Sequence, residues 1–553
     1  MNILALIAVC GSALFPVGQN EESEKIAEVK RRVIDTAAPP SWTKRSPTPD
    51  GPPSPGLSYE TSLAYDPVAR RVIRWGGHAQ GGVKGSGEQI AELWTLDPAT
   101  MQWELKEPNR SPVASCCVQQ NVFDTARNRF LRFKAAGGNH GWQWYREIYL
   151  NNSSLWSYDL PTNTWRDLRP LPEPPISLLH CASWDSDHQV AVVFGGEGTQ
   201  EGTLVYDPHV NVWTWMRAKN EPAQGSRESR SGGNLAYDAA RKLHVLFGAQ
   251  FTNDPHTWGY DLHRNEWRDL KPAAQPPTDR NDAVMAYDTV NQVVIAVVRV
   301  ADATEAKEET KAHLETWCYD GGRNTWERVA VQREPEPTGA RSRVMTFVPN
   351  QNFFLIDGYV KPTDRVPGVE REHQIWTYRH GEPPFDSAPR PPAGVQVVTT
   401  AESATLQWQA SSSPDVTEYV VYRGEGTQPW LVEYKPVGKA ARTATTFLDT
   451  GLKRGTIYFY FVRAVGSGGR ESLDSVKVRT QPRVVEDAVV SVLSAREVRL
   501  SWTPPPEPEG GIDGYHVERA VVEVFSEDEV KRLRTDTPPL AEPSVGAIKT
   551  VGT

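Results

Sequence analysis

Short apolar stretches separated by turn-forming residues run through roughly the first two thirds of the chain. One block reads apolar–x–Tyr/Leu–Asp, then a turn, then a tryptophan, and it occurs five times. The copies are LWTLDPATMQW (93–103), LWSYDLPTNTW (155–165), LVYDPHVNVW (204–213), WGYDLHRNEW (258–267) and WCYDGGRNTW (317–326). Because Asp followed by Pro, Gly or Asn is turn chemistry, each copy predicts a hairpin of two short strands.

A second block precedes each of these hairpins. It reads as a strand, a turn and a more apolar strand that often ends in a glycine pair. Its copies lie at 62–77, 121–138, 182–196, 234–249, 284–298 and 345–358. Two hairpins in series predict a four-stranded antiparallel unit, and the tryptophans of successive units are 48 to 62 residues apart. The charged segment at 300–315 predicts an exposed insertion in the fifth unit.

The repeat resembles the kelch family of β-propellers with a galactose-oxidase-like central domain. The resemblance lies in Gly76-Gly77, Gly195-Gly196, the Tyr/Leu–Asp turns and the spaced tryptophans, and it covers residues 35–384. It implies six blades. The sixth unit has a third strand, HQIWTYRHGE, but no tryptophan strand after it, so we expect the N-terminal segment around Trp42 to close the last blade. The tryptophans are expected to pack between the blades.

The sequence texture changes after residue 384. Residues 389–481, with Trp408 and the stretch Gly455-Thr456-Ile457-Tyr458, resemble a fibronectin type III sandwich, an immunoglobulin-like fold in which Tyr458 would occupy the tyrosine corner. Residues 482–553 repeat the tryptophan strand and the tyrosine strand but lack a second tyrosine corner. We therefore expect a second, incomplete type III domain, which is either a divergent module or part of a fragment. The predicted fold class is all-β, a six-bladed kelch-type propeller followed by sandwich modules.

The N-terminus predicts export. An apolar run at 3–15 is followed by QNEESEK, which is short for a membrane span and fits a signal peptide over residues 1–20. A lipid anchor at Cys10 and a frayed apolar terminus are the alternatives. We expect a protein that is secreted or located outside the cell or in the periplasm and that does not span the membrane. Attachment to the cell surface is an alternative to free secretion. Cys116 and Cys117 either form a vicinal disulfide or are two half-buried thiols.

Charge and residue spacing exclude several functions. A net charge of −9 gives no reason to expect nucleic acid as a partner. Copper enzymes of the galactose-oxidase type need a Tyr–Cys cross-link, two histidines and a second tyrosine, whereas Cys318 lies in a strand with no paired histidines following it. The twelve histidines have no metal-ligand spacing, and no phosphate loop or Ser–His–Asp set is identifiable. We expect no metal and no cofactor, and the catalytic residues, if any, are unknown.

The candidate site lies where the loops after the glycine pairs meet the connections into each first strand. These segments emerge on one face, and its concave mouth is the default binding site of a ring fold. Arginine suits carboxylate recognition, and aromatic faces suit sugars or peptides. The alternative is that these arginines pair with carboxylates of their own blades. The candidate binding residues are Arg230, Arg280, Arg341, His78, Asn139, His140, Trp142 and Trp144.

These features favour a binding protein. We expect a secreted or surface-attached kelch-propeller protein that recognises a glycan or protein partner, with the type III modules as spacers. The alternative is a carbohydrate-active propeller enzyme, namely a lyase, a mutarotase or an oxidase-like enzyme. An intracellular scaffold is disfavoured by the apolar N-terminus.

Overall fold

Strands and turns make up almost the whole described chain. The computed structural model describes residues 40–45, 55, 58–59, 61–79, 91–112, 120–133, 155–170, 180–195, 202–222, 234–248, 256–277, 283–301, 312–336, 343–360, 372–381, 388–400, 402–485, 488–494, 496–503, 514–515, 517–519 and 549–552. Its helical segments within these ranges are two 3-10 turns, Pro349–Gln351 and Pro429–Leu431. In the same ranges no helix has the length and apolar character needed to cross a membrane. The all-β prediction is confirmed.

The part before residue 382 consists of short antiparallel strands. They are β1 (Thr43–Lys44), β2 (Ser58–Tyr59), β3 (Ser62–Asp66), β4 (Arg71–Trp75), β5 (His78–Ala79), β6 (Leu93–Asp97), β7 (Gln102–Lys106), β8 (Val122–Asp124), β9 (Arg129–Phe133), β10 (Leu155–Asp159), β11 (Thr164–Asp167), β12 (Cys181–Asp185), β13 (Val190–Phe194), β14 (Thr203–Asp207), β15 (Val212–Trp215), β16 (Asn234–Asp238), β17 (Leu243–Phe247), β18 (Trp258–Asp261), β19 (Glu266–Asp269), β20 (Ala283–Asp288), β21 (Val293–Ala301), β22 (Ala312–Asp320), β23 (Thr325–Arg328), β24 (Arg343–Val348), β25 (Phe353–Val360) and β26 (Glu372–Tyr378).

Twenty-four of these strands form six four-stranded sheets. Sheet 1 is β3-β4-β6-β7, sheet 2 is β8-β9-β10-β11, sheet 3 is β12-β13-β14-β15, sheet 4 is β16-β17-β18-β19 and sheet 5 is β20-β21-β22-β23. In sheet 6, β24-β25-β26 takes β1 as its fourth strand, with Thr43 opposite Thr377 and Lys44 opposite Trp376. The remaining two strands, β2 and β5, pair with each other.

The hairpin turns follow from the Tyr/Leu–Asp motif. In each second hairpin of sheets 1 to 5 the aspartate accepts a hydrogen bond from a backbone N–H two or three residues later, which closes the turn. The turns of sheets 2 to 5 then place an asparagine in the left-handed region, which asparagine tolerates better than most residues. These residues are Asn163, Asn211, Asn265 and Asn324, with φ between 48° and 54°.

The same asparagines connect neighbouring sheets. In each case the tyrosine hydroxyl of the motif donates a hydrogen bond to the asparagine Oδ1, at 2.8 or 2.9 Å. In sheets 3, 4 and 5 the asparagine Nδ2 also donates to a backbone carbonyl of the preceding sheet. The acceptors are the carbonyls of Leu168, Met216 and Leu270, at 2.6 to 2.7 Å. The turn residue thus satisfies its own tyrosine and the previous sheet together.

Six hydrophobic cores lie between successive sheets. Five of them join sheets 1 to 6 in sequence, and the sixth joins sheet 6 to sheet 1. The first strands also contact one another in the order β3, β8, β12, β16, β20, β24 and back to β3. Each core contains the tryptophan of one outer strand, packed on the preceding sheet. The buried tryptophans are Trp42, Trp103, Trp165, Trp213, Trp267 and Trp326, as the repeat predicts.

Three of these tryptophans also bond to a threonine of the preceding sheet. The bonds run from Trp267 Nε1 to Thr203 Oγ1 (2.8 Å), from Trp326 Nε1 to Thr257 Oγ1 (2.9 Å) and from Trp42 Nε1 to Thr316 Oγ1 (2.8 Å). Each threonine hydroxyl in turn donates to a side chain 18 residues later, namely Glu221, Gln275 or Glu334. The result is a buried relay in which the indole N–H and the threonine hydroxyl each have a partner.

The other three interfaces lack this relay. Apolar residues occupy the threonine position, three residues before the Tyr or Leu of the motif, in sheets 1, 2 and 6. They are Leu93, Leu155 and Ile375, which share cores with Trp165, Trp213 and Trp103. The indole nitrogens of these tryptophans have no hydrogen-bond partner within the described part of the chain. Among the described residues, the relay therefore joins sheets 3 to 6 and does not extend to the other three interfaces.

The fifth sheet differs from the sequence prediction. Its middle strands β21 and β22 continue into the segment 300–315 and pair as far as Val300–His313 and Ala301–Ala312. Leu314 and Glu315 are buried. The two ends of the charged segment are therefore extensions of these strands, and Leu314 packs into the core between sheets 5 and 6.

The C-terminal strands form a β-sandwich. They are β27 (Ala393–Thr399), β28 (Ser403–Gln409), β29 (Val416–Glu425), β30 (Lys435–Ala441), β31 (Thr446–Thr450), β32 (Tyr458–Gly466) and β33 (Val478–Arg479). Sheets β27-β28-β31 and β30-β29-β32-β33 enclose one core around Trp408. Tyr458 accepts, through its hydroxyl, the backbone N–H of Lys453 at 3.0 Å, as a tyrosine corner requires. We call this unit the first sandwich.

Two further hairpins follow the first sandwich. They are β34 (Val489–Ser494) with β35 (Glu497–Ser501), and β36 (Val517–Arg519) with β37 (Lys549–Gly552). The rings of Trp502 and Tyr515 meet edge to face at 5.1 Å. The residues of β34 and β35 are exposed, whereas the β27-β28 pair of the first sandwich buries one residue of β27 and alternate residues of β28.

The first sandwich packs against hairpin turns of sheets 3 and 4. The guanidinium of Arg479 donates two hydrogen bonds to the carboxylate of Asp207, at 2.7 and 3.0 Å, and both side chains are over 90% buried. Gln189 Nε2 donates to the carbonyl of Lys477 at 2.7 Å. Burial, assisted by the charge of Arg479, lowers the pKa of His209 to about 3, and its neutral ring contacts the carbonyl of Gln481 at 2.6 Å.

An aromatic anchor completes this contact. Trp430 of the first sandwich is 2% exposed and joins the core that contains Leu262 and Trp267 of sheet 4. Its carbonyl lies 2.8 Å from Nδ1 of His263. A buried aromatic ring beside a bidentate ion pair is the composition of a specific interface. The first sandwich is therefore fixed to the six-sheet part at the end where these hairpin turns lie.

The buried relay predicts a stability difference. Thr257→Val keeps the shape of the side chain but leaves Trp326 Nε1 and Gln275 without their partner. We expect a loss of about 1–3 kcal/mol in the free energy of unfolding, measured by urea denaturation. Thr164→Val, on an exposed edge, is the control and should change stability by less than about 0.5 kcal/mol. Equal effects of the two substitutions would contradict the relay.

Candidate functional site

The predicted binding residues lie mainly outside the described ranges. Arg230, Arg280, Arg341, Asn139, His140, Trp142 and Trp144 all fall there, so their placement remains a prediction. His78 belongs to β5, whose backbone pairs Tyr59 with His78. Each predicted arginine precedes a described first strand by two to four residues, at Asn234, Ala283 and Arg343.

The sheets have two distinct ends. In a four-stranded meander both hairpin turns lie at one end, which we call the turn end. The opposite end, the loop end, holds the connection from the second to the third strand and the connection to the next sheet. The first sandwich contacts the turn end. The first strands that follow the predicted arginines, β16, β20 and β24, begin at the loop end.

Polar side chains line the inner strands at the loop end. Asn121 Nδ2 donates to Ser62 Oγ at 2.8 Å, joining sheets 2 and 1. Asn234 Nδ2 donates to the carbonyl of Ala283 at 2.7 Å, joining sheets 4 and 5. These asparagines and Ser62 are all more than 90% buried. The inner strands are therefore held at the loop end by hydrogen bonds rather than by apolar contact alone.

Gln120 connects three sheets at this end. Its side-chain Oε1 accepts the backbone N–H groups of Ala182 in sheet 3 and Leu235 in sheet 4, at 3.0 and 2.9 Å. Its own carbonyl lies 2.9 Å from Nε2 of His180. A single side chain thus crosses the space between the first strands of sheets 2, 3 and 4. Polar atoms of Gln120 and His180 therefore lie between these first strands at the loop end.

A buried charged cluster joins sheets 6 and 1. Arg74 Nε donates to Asp357 Oδ2 at 2.7 Å, with the two side chains 1% and 2% exposed. The other carboxylate oxygen contacts His373 Nε2. Burial opposes the ionisation of Asp357, but Arg74 and His373 outweigh it and lower its pKa to about 2. The carboxylate is therefore charged at neutral pH.

In the histidine of this cluster, one ring nitrogen is buried and has no hydrogen-bond partner among the described residues. His373 is the second residue of β26, at the loop end, and its side chain is 9% exposed. Its Nδ1 has no hydrogen-bond partner in the described ranges. A carboxylate that holds one imidazole nitrogen leaves the other to exchange a proton, which is the geometry of a general acid or base.

The second strand of sheet 2 also carries a buried arginine, Arg132. Arg132 is the fourth of the five residues of β9, and Arg74 is the fourth of the five residues of β4. Its guanidinium lies 5.8 Å from the ring centroid of Trp75. Burial lowers the pKa of Arg132 to about 9, with Asp167 opposing the shift, so the group stays charged at neutral pH. Cationic residues on second strands were not among the sequence-based candidates.

No group of three or more His, Cys, Asp or Glu side chains in the described ranges is arranged to hold a metal ion. The prediction of no metal and no cofactor thus stays a prediction.

Comparison with known proteins gives partial matches. No protein-family model matches the chain. Exoglucanase B of Cellulomonas fimi is 34% identical over 154 residues, which is 26% of this chain and 13% of that protein. An Fn3-like protein from Clostridium thermocellum is 33% identical over 18% of this chain and 99% of its own, with a TM-score of 0.15. The chain carries fibronectin type III-like modules.

A wider match involves the six-sheet part as well. A fungal alcohol oxidase of the AA5 family, solved in complex with copper, aligns with 77% of this chain and 85% of its own length. The sequence identity is 13% and the TM-score is 0.37. The chain spans only 13% of the length of the exoglucanase that it matches, so the activity of that whole protein is not transferred here.

The charged cluster predicts acid sensitivity. The folded pKa of Asp357 is about 2, below the ordinary value of about 3.9, so its ion pair stabilises the fold above about pH 4 and is lost as the pH falls towards 2. Asp357→Asn should cost on the order of 3 kcal/mol at pH 7. The difference from the unmodified protein should shrink by about 2 kcal/mol between pH 4.5 and pH 2.

The measurement is urea unfolding at a series of pH values. Glu104→Gln, on the exposed outer strand β7 with its side chain 61% exposed, is the matched control and should differ little from the unmodified protein at any pH. A difference for Asp357→Asn that stays constant down to pH 2 would show that the cluster does not titrate as described.

Proposed function

We propose that the six sheets are the blades of a closed kelch-type propeller spanning residues 35–384. Three observations support this. Cores lie between all successive sheets and between sheets 6 and 1, the first strands contact one another in a cycle, and β1 supplies the fourth strand of sheet 6. The type III domains would then span residues 389–481 and 482–553.

We further propose that the loop face of this propeller binds an acidic glycan. The observation that carries the proposal is the position of the first sandwich, because it contacts the turn end at sheets 3 and 4, which is opposite to the loop end. The mouth of a ring fold at the loop end is then the default binding site. Arg230, Arg280 and Arg341 would approach that face from three consecutive blades. Three guanidinium groups at one mouth favour a polymer that carries carboxylates.

Aromatic and polar residues would complete the site. His78 lies in β5, and Asn139, His140, Trp142 and Trp144 would lie in the loop after the second strand of the second blade. Aromatic rings bind sugar faces. The name of the matching exoglucanase fits a carbohydrate context. Export by the segment at 1–20 would place the protein in a secreted, extracellular or periplasmic setting, free or attached to a surface. A protein partner at the same mouth is the other outcome of the test.

A carbohydrate-active enzyme is the second candidate. The Asp357–His373 pair supports it, because a buried carboxylate orients an imidazole whose Nδ1 has no described partner. A lyase or mutarotase needs such a proton-exchanging group beside its substrate. Turnover of uronate polymers or sialic acid that disappears in His373→Gln would establish this function.

The binding proposal predicts the result of affinity electrophoresis. The full chain should be retarded in gels that contain an acidic polysaccharide. The triple variant Arg230/Arg280/Arg341→Ala should bind at least about 100-fold more weakly, because each charge-assisted hydrogen bond contributes about 1.5–3 kcal/mol.

The matched control removes the same charge from the opposite end. Arg70, Arg264 and Arg323 lie in hairpin turns of sheets 1, 4 and 5, and all three are exposed. Their triple alanine variant should migrate like the unmodified protein. Equal loss in both variants would mean that binding follows net charge alone. If neither acidic nor neutral polymers retard the protein, glycan binding is contradicted and a protein partner is favoured instead.

A further inference from the structure

A cluster of three reactive side chains lies at the turn end, between sheets 5 and 6. Cys318 is near the end of β22, and His380 follows β26 by two residues. The Sγ of Cys318 lies 3.7 Å from Nε2 of His380, and Nδ1 of the same ring lies 3.0 Å from the hydroxyl of Tyr378. This cluster is at the opposite end of the sheets from the proposed binding face.

The tyrosine is held in place by its surroundings. Tyr378 is 1% exposed and stacks on Trp42 with ring centroids 5.0 Å apart. Burial, together with the negative charges at Cys318 and Glu334, raises the pKa of its hydroxyl far above the ordinary range. The hydroxyl therefore stays neutral and serves as a fixed hydrogen-bond partner of His380.

The arrangement matches the requirements of an activated thiol. A nucleophile within reach of a base, with the base oriented by a third group, is the general signature of such a site. The thiol proton can pass to His380, and the resulting imidazolium stabilises the thiolate, which is the reactive form of cysteine. Tyr378 orients the ring so that Nε2 faces the sulfur.

The second described cysteine provides a contrast. Cys181 is fully buried in β12, inside the core shared by sheets 3 and 4, whereas Cys318 is partly exposed. Neither forms a disulfide in the structure. Partial exposure and a neighbouring imidazole distinguish a reactive cysteine from a packing cysteine.

We propose that Cys318 is a modification site for low-molecular-weight disulfides. The Cys318 thiol gives its proton to His380, and the thiolate attacks one sulfur of the small disulfide. A new S–S bond forms to Cys318 while the disulfide's own S–S bond breaks. The leaving thiolate takes up a proton, so the products are the mixed disulfide on Cys318 and one molecule of small thiol.

The experiment measures exchange at each cysteine of the reduced full chain. Native protein is treated with 5,5′-dithiobis(2-nitrobenzoic acid) at pH 5.5 to 9, and the adducts are assigned to single cysteines by peptide mass spectrometry. At pH 6 we expect Cys318 to react about tenfold faster than in His380→Gln, because removing the imidazole lowers the thiolate fraction. The advantage should disappear above pH 9, where both thiols are ionised.

Three controls separate the thiol chemistry from folding. Cys181 in the same molecules should react only after unfolding. His256→Gln, a histidine whose side chain is 47% exposed, should leave the Cys318 rate unchanged. Tyr378→Phe keeps the packed ring and should give a rate between those of the unmodified protein and His380→Gln.

Two results would overturn the proposal. One is a Cys318 rate whose pH profile equals that of an ordinary thiol and does not change in His380→Gln. The other is a Cys318 that is inert in the native protein but reacts after unfolding. Because the site is remote from the loop end, neither result bears on glycan binding.

Discussion

The structure depends on one constraint, which is that no four-stranded sheet can bury both of its faces without a neighbour on each side. The outer tryptophan of each sheet packs on the preceding sheet and so covers one of its faces, and all six tryptophans are buried. In sheet 6 that tryptophan is Trp42, which comes from the other end of the repeat and bonds to Thr316 of sheet 5. The first and last parts of the repeat are therefore interdependent. Large aromatic side chains dominate this kind of packing energetically, and the threonine relays add directional contacts in three of the six interfaces.

The two ends of this assembly have different chemistry. The turn end carries the aspartates and asparagines of the repeat and receives the first sandwich through Asp207, Arg479 and the buried ring of Trp430. The loop end carries buried asparagines, Gln120 and the Arg74–Asp357–His373 cluster. The proposed binding face is at the loop end, opposite to the end that the first sandwich contacts. The first sandwich thus acts as a fixed part of the molecule at its point of contact.

Local sequence signals predict much of this fold. Aspartate turns, left-handed asparagines, the tryptophan spacing and the tyrosine corner at Tyr458 each act within a few residues, so the pattern alone reveals them.

The contacts that join distant segments could not be found in this way. Arg74 and Asp357 are 283 residues apart, Arg479 and Asp207 are 272 apart, and Cys318 and His380 are 62 apart. Pairing between such positions depends on the register of neighbouring sheets. The extension of β21 and β22 was missed because charged residues mask the alternation. The site prediction depends on loops that lie mainly outside the described ranges.

The most direct test of this account is hydrogen exchange of the segment that closes sheet 6. The N–H of Trp42 donates to the carbonyl of Arg333 at 3.1 Å, and the N–H of Arg45 donates to the carbonyl of Ile375 at 2.7 Å. If residues 40–45 complete the ring of sheets, a peptide covering them should be protected to nearly the same degree as peptides from β25 and β26, because all would open in one cooperative unit. Exchange of that peptide at the rate of an unstructured chain, with β25 and β26 still protected, would contradict the closure on which the account depends.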